Sequence, residues 1–277
     1  MPPARPRAAP PDPEDAARLS LTGASGRVAR LLRPWLPGAA FVSRGEGPLP
    51  GRIAGRSALV ALGGVTSGDA KALAGNTAAA LDALEAARAA GVPRVLILSS
   101  SAVYGPADGP LDETMPPTPA NPYGAAKAEM EAAIARWCSA HPRRPETCIL
   151  RLGNVAGADA LLGGLDPERR PRLDTWPDGS TPLRGYVGPV TLARVLAELA
   201  LHPLALPPVL NLAADPVEMG ALLRAVGRDW DAVPAPAQAM RAVRLDTTRL
   251  RALVSLDPIE ATASELVAQW RASGGAA

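Results

Sequence analysis

The sequence predicts an α/β fold, a doubly wound parallel sheet with a small C-terminal lobe. Three observations predict it. Short apolar runs alternate with stretches of helical spacing, the first run ends in two closely spaced glycines, and the later part of the chain loosens into Pro/Gly-rich segments. Strands that alternate with helices pair in parallel, because each crossover returns the chain to the same end of the sheet.

The elements follow in order. Residues 18–22 form a short apolar strand pattern running into Gly23-Ala24-Ser25-Gly26, after which Val28, Leu31 and Leu32 recur at helical spacing. A second strand is expected at 40–43, followed by the Pro/Gly-rich stretch 47–55, and a third apolar run at 58–65 is broken by Gly63-Gly64. The segment between these strands is short for such a sheet. A helix is expected over 76–90, with Leu81, Leu84 and Ala87 at helical spacing; Gly91 and Pro93 stop it before a strand at 95–98. Asn121 can cap the next helix and Pro122 suits its first position, with Tyr123, Met130 and Ile134 facing inward. Residues 148–152 read as another buried strand, and further helices are expected at 190–201 and 261–271.

With 277 residues and 47% hydrophobic content, the chain can build one α/β domain carrying a smaller lobe. Lys and Arg total 29 against 27 Asp and Glu, so no large basic surface speaks for a nucleic-acid partner. Cys138 and Cys148 make neither a disulfide framework nor a zinc site, and no metal is expected. Prolines and charges punctuate residues 1–14, which excludes a signal peptide, and Glu198, His202, Pro203, Pro207 and Pro208 interrupt the most apolar later stretch. A soluble, cytoplasmic protein is the expectation.

Three constellations carry chemistry. In Gly23-Ala24-Ser25-Gly26-Arg27-Val28 the glycines permit a tight turn and close approach of backbone amides to a pyrophosphate at a helix N-terminus. A plain strand-to-helix turn is the alternative. Tyr123 and Lys127 stand four apart and project from one helix face, an arrangement suited to an acid and base pair. Lowering a tyrosine from about 10 to roughly 7 asks about 4 kcal/mol from neighbouring positive charge and hydrogen bonds, with Lys127 an expected source of that charge. An ordinary surface pair remains the alternative. Ser99, Ser100 and Ser101 end a buried strand at the edge where ligands bind such sheets, although serines there also satisfy turns.

Together, the glycine turn, Ser99-Ser100-Ser101-Ala102-Val103-Tyr104-Gly105 and Asn121-Pro122-Tyr123-Gly124-Ala125-Ala126-Lys127 resemble the NAD-dependent epimerase/dehydratase family, the extended short-chain dehydrogenases. The resemblance covers roughly residues 17–272 and continues in Arg151-Leu152-Gly153-Asn154 and Arg184-Gly185-Tyr186-Val187. It implies a Rossmann-type fold divided into a disordered tail at 1–16, a nicotinamide-dinucleotide-binding domain at 17–155, and a small substrate lobe at 156–277 partly interleaved with the core. It implies Ser100, Tyr123 and Lys127 as the catalytic set. Cofactor contacts are expected from Gly23, Ser25, Gly26, Arg27, Val28, Arg44, Gly63, Asn76, Lys127 and Gly153, and substrate contacts from Ser101, Asn154 and Arg184. Asn76 serves equally as a helix cap, Asn154 as a turn residue, and Arg184 as half of an ion pair.

The implied activity is hydride transfer between a sugar nucleotide and NAD(P), as an epimerase or an oxidoreductase. A smaller carbonyl or polyol substrate, or a catalytically silent NAD(P)-sensing module, is the rival reading. Ser101 and Ala102 stand where dehydratases carry an acidic pair, which argues against dehydration. The second strand ends at Ser43-Arg44 without the acidic residue that would bond an unphosphorylated ribose, which favours NADP slightly. Glu46 lies close enough to blur that preference. A homodimer is left open.

Overall fold

The computed structural model describes residues 6–107 and 109–275. A short helix α1 (Pro13–Ala17) leads into β1 (Leu19–Thr22), α2 (Arg27–Leu32), β2 (Ala40–Val42), α3 (Leu49–Ile53) and β3 (Ala58–Ala61). Then come α4 (Ala70–Ala90), β4 (Arg94–Ser100), α5 (Pro122–Ala140) and β5 (Glu146–Leu152). The rest runs β6 (Asn154–Val155), β7 (Arg172–Thr175), β8 (Leu183–Val187), α6 (Pro189–Ala200), β9 (Val209–Leu212), β10 (Pro216–Glu218), α7 (Met219–Val226), β11 (Asp231–Pro234), β12 (Ala242–Val243), α8 (Thr248–Arg251) and α9 (Ala263–Ala272).

Six strands form one sheet in the order β2-β1-β3-β4-β5-β9, every neighbouring pair parallel. This is the Rossmann-type sheet that the sequence predicts. Successive strand residues alternate between two cores, as a sheet covered on both faces requires. Leu19, Leu21, Leu96, Leu98 and Leu150 pack with α6, while Leu59, Ile97 and Ile149 pack with Leu84 of α4 and with Met130 and Ile134 of α5. The chain reverses direction across the sheet at β1, with β2 on one side and β3 on the other, and ligand crevices lie at such switch points. In the commonest dinucleotide-binding order a third strand lies outside the second. Here the connection from β2 to β3 holds only the five-residue α3, and β2 is the edge.

Several expectations need correction. Part of the tail expected to be disordered is ordered: Asp12 caps α1, Ala16 is fully buried, and the amides of Arg7 and Ala8 donate to Glu265 of α9. Residues 1–5 of that tail lie outside the described residues. Helix α4 begins at Ala70, because the Asp69 carboxylate accepts the Ala72 amide, so Asn76 is inside a helix and caps nothing. The core also extends past residue 155, since β9 is the sixth strand of the main sheet and α6 covers one face. What remains of the lobe is a small sheet in which β8 pairs with β6, β10 and β12, and a two-stranded pair of β7 with β11. Among the described residues no helix is long and apolar enough to cross a membrane.

Candidate active site

The site grows from the C-terminal ends of β1, β3 and β4. After β1 the chain turns at Gly23, whose φ of 75° favours glycine. A Cβ there would also lie 2.9 Å from the Gly63 amide nitrogen, so glycine at position 23 lets the β1 and β3 loops touch. Gly26 is the N-terminal boundary residue of α2, with Ser25 and Arg27 exposed beside it and Val28 half-buried. From β4, Ser100 begins a short turn in which its hydroxyl accepts the Ala102 amide at 3.1 Å. Gly23, Gly26, Arg27 and Val28 line the same cleft as Ser99, Tyr123 and Lys127. A larger cavity of about 500 Å³ beside Arg7 and Arg194 contains none of the expected catalytic residues, and Arg194 is engaged with Glu198 and Glu260.

Helix α5 delivers the central pair. Asn121 caps it, accepting the Gly124 amide at 2.8 Å, which fixes Tyr123 in the first turn and Lys127 in the second. Gly124 packs so closely under Ala102 that an added Cβ would sit 2.0 Å from its carbonyl oxygen, locking α5 against the serine turn. Lys127 is buried and donates to the Leu98 carbonyl at 2.9 Å. Burial pushes its ammonium down to about 8, with the nearby Glu131 carboxylate opposing the shift. Burial pushes Tyr123 up, and the Ser100 hydroxyl pulls the other way. The help expected from Lys127 in acidifying Tyr123 is not among these influences; Ser100 is the neighbour that lowers the phenol's proton affinity.

Asn76 reaches across from α4 and grips the loop after β3 at both backbone groups of Val65, accepting its amide at 2.8 Å and donating to its carbonyl at 3.1 Å. A Cβ on Gly64 would meet Asn76 Oδ1 at 2.9 Å and Lys127 Nζ at 3.2 Å, so Gly64 leaves the lysine's surroundings clear. Sequence reasoning singled out Gly63 and passed over Gly64 and the cleft-lining Thr66. The doubled glycine was the available signal.

The other expected residues are held as follows. Gly153 is packed against the lobe: an added Cβ would lie 2.6 Å from the Gly185 carbonyl oxygen and 3.1 Å from Ala213 Cβ, which explains the glycine without a ligand. Asn154 stands beside the Tyr186 hydroxyl, which donates to the half-buried Asp159 carboxylate at 2.8 Å. Among the described residues Arg184 pairs with no carboxylate; its guanidinium donates to the carbonyls of Leu183, Arg241 and Met240, tying β8 to the chain before β12. Ser101 is half-buried in the turn after β4. Arg44 is exposed just beyond β2 and takes part in no ion pair among the described residues, whereas Glu46 pairs with Arg52 and accepts the Ser43 amide.

Residues 57–171 match the model of the NAD dependent epimerase/dehydratase family. A UDP-glucose 4-epimerase of Azospirillum brasilense is 45% identical over 85 residues, which are 30% of this chain and 24% of the relative. The chain therefore spans about a quarter of the length of that curated relative. Among solved structures, MoeE5 in complex with UDP-glucuronic acid and NAD superposes with a TM-score of 0.71 at 20% identity, covering 92% of this chain and 99% of that one. A UDP-N-acetylglucosamine 4-epimerase from Methanobrevibacter ruminantium M1, in complex with UDP-N-acetylmuramic acid, gives the same score at 17% identity over 92% and 98% of the two chains. At these identities the superpositions establish the fold.

Proposed function

We propose that the protein is an NAD(P)-dependent epimerase or oxidoreductase that acts on a sugar nucleotide by hydride transfer. The observation that carries this reading is the meeting of the Gly23 turn with Ser100, Tyr123 and Lys127 at one end of the sheet. The residues fit a nicotinamide dinucleotide: the turn after β1 has no room for a side chain at Gly23, and Gly64 keeps space clear beside the Lys127 ammonium. Arg27 and the turn amides would hold the pyrophosphate, and Lys127 the ribose. The nicotinamide, when bound, supplies the hydride acceptor and donor.

The chain's own residues handle the proton. Tyr123 takes it from the reacting sugar hydroxyl and returns it when the carbonyl is reduced again. Ser100 holds the substrate oxygen and the phenol. Because burial raises the free phenol, Tyr123 reaches its working acidity only when positive charge joins it in the cleft. Return of hydride to the opposite face of a retained keto intermediate makes an epimerase; release of that intermediate makes a dehydrogenase. Arg44, in no ion pair among the described residues, supports a modest preference for NADP. Retained ligands identified by mass spectrometry, together with turnover across a panel of UDP-sugars, test the reading; cofactor binding with no turnover on any of them would favour the silent sensing module.

A second reading, a smaller carbonyl or polyol substrate, is favoured by the engagement of Arg184 with three backbone carbonyls. The family match also stops at residue 171, before β7, β8 and the later lobe strands. Adding small ketones and polyols to the same panel separates the two readings.

A further inference from the structure

Below the cleft lies a row of buried polar side chains that the proposed chemistry does not use. Ser99 of β4, Arg151 of β5 and Asn211 of β9 are direct cross-strand neighbours, paired Ser99 with Arg151 and Arg151 with Asn211, and all three are buried. They share the sheet face covered by α5. From that helix Glu131, also buried, meets the row: it accepts the Ser99 hydroxyl and pairs with the Arg151 guanidinium, Nη2 to Oε2 at 2.8 Å. Arg151 also donates to the Tyr104 hydroxyl at 2.9 Å, and that hydroxyl donates to Asn211 at 2.8 Å. Asn211 ends the chain of contacts on the carbonyls of Leu111 and Asp246.

Such a network is expensive to bury and stabilises little compared with apolar packing. Its position is the informative feature. Glu131 is one helical turn beyond Lys127, and Ser99 is the residue between Leu98, which receives the Lys127 ammonium, and Ser100. We propose that Glu131 is a positioning residue: its carboxylate, anchored by Arg151, holds the Lys127 ammonium charged at the cleft and draws the Ser99 hydroxyl out of it, leaving Ser100 to face the reacting group. The inference rests on the reading of Lys127 as the cofactor-binding lysine. Besides Glu131, the charged or titratable groups facing that region are Tyr123 of α5, Arg151 of β5, Tyr104 after β4 and Glu113, whose carboxylate accepts the Asn211 amide, while Asn76 of α4 is neutral.

The chain contains only two lysines, Lys71 and Lys127, and Lys71 is exposed. Lysine labelled with carbon-13 at Cε therefore gives two signals whose pH titrations report Lys127 directly, with Lys71 as an internal control. In Glu131→Gln the Lys127 midpoint should fall by more than roughly half a pH unit, because a carboxylate is removed and Arg151 is left unpaired beside it. Lys71 should not move. A Lys127 midpoint equal to that of the wild type overturns the proposal. Should Glu131→Gln fail to fold, the double variant Glu131→Gln/Arg151→Met removes both charges, a change that buried pairs often tolerate; Lys127 should again titrate below the wild type, and an unchanged midpoint overturns the proposal there too. The signals are read without cofactor, so a wrong assignment of the cofactor leaves this result standing and shows instead as no response of Lys127 to added NAD.

Discussion

Replacing Lys127 with Met should make the ligand-free protein more stable at neutral pH while removing its cofactor site. The ammonium is buried and pushed from 10.5 down to about 8. At about 1.4 kcal/mol per pH unit, that displacement represents about 3 kcal/mol of unfavourable burial. Methionine fills similar space but leaves the Leu98 carbonyl without its donor, a loss of about 1 kcal/mol, so the net gain is about 2 kcal/mol. Below pH 8 lysine is protonated in both folded and unfolded chains, and the penalty is fully present. Between pH 8 and 10.5 the folded chain sheds the proton while the unfolded chain keeps it, so the wild type gains stability relative to the variant as pH rises. Urea unfolding of both proteins at pH 7 and at pH 10.5 measures this. The variant should be ahead by about 2 kcal/mol at pH 7 and behind by about 1 kcal/mol at pH 10.5. A difference that stays constant with pH would refute the burial argument.

Three further outcomes follow from the geometry. Gly23→Ala should destabilise the chain by about 1 to 3 kcal/mol and abolish dinucleotide binding, since the residue combines a left-handed φ with a backbone contact to Gly63; thermal unfolding and calorimetry check both parts. Arg184→Ala should lower stability by about 1 to 3 kcal/mol because several carbonyls lose their donor; loss of sugar-nucleotide affinity with unchanged unfolding would instead restore the diphosphate role. Arg44→Ala should weaken NADP more than NAD in paired calorimetric titrations, and equal weakening would leave the phosphate contact without support.

The core was legible where periodicity was strong. The runs that became β3, β4 and β5 alternate between two apolar cores, and the Asn121-Pro122 start of α5 is a local signal that the structure keeps. The lobe was not legible, because its strands are short, half-exposed and paired with distant segments; β8 takes partners from residues 154–155, 216–218 and 242–243. Site residues on the first glycine turn and α5 share the cleft because local chain geometry places them there. Gly153 and Arg184 depended on resemblance alone, and their surroundings are set by neighbours that a motif does not contain. The buried row of Ser99, Arg151 and Asn211 escaped attention for the same reason, since only strand register brings it together.

The central claim is that Tyr123 moves the proton while hydride passes in the cleft. The most direct measurement is the fluorescence of reduced nicotinamide after the wild type and Tyr123→Phe are mixed with NAD(P) and a reactive sugar nucleotide. The wild type should form reduced cofactor, transiently if it epimerises, whereas Tyr123→Phe should do so slower by about two to four orders of magnitude with cofactor binding retained. Reduction at the wild-type rate in Tyr123→Phe would contradict the account.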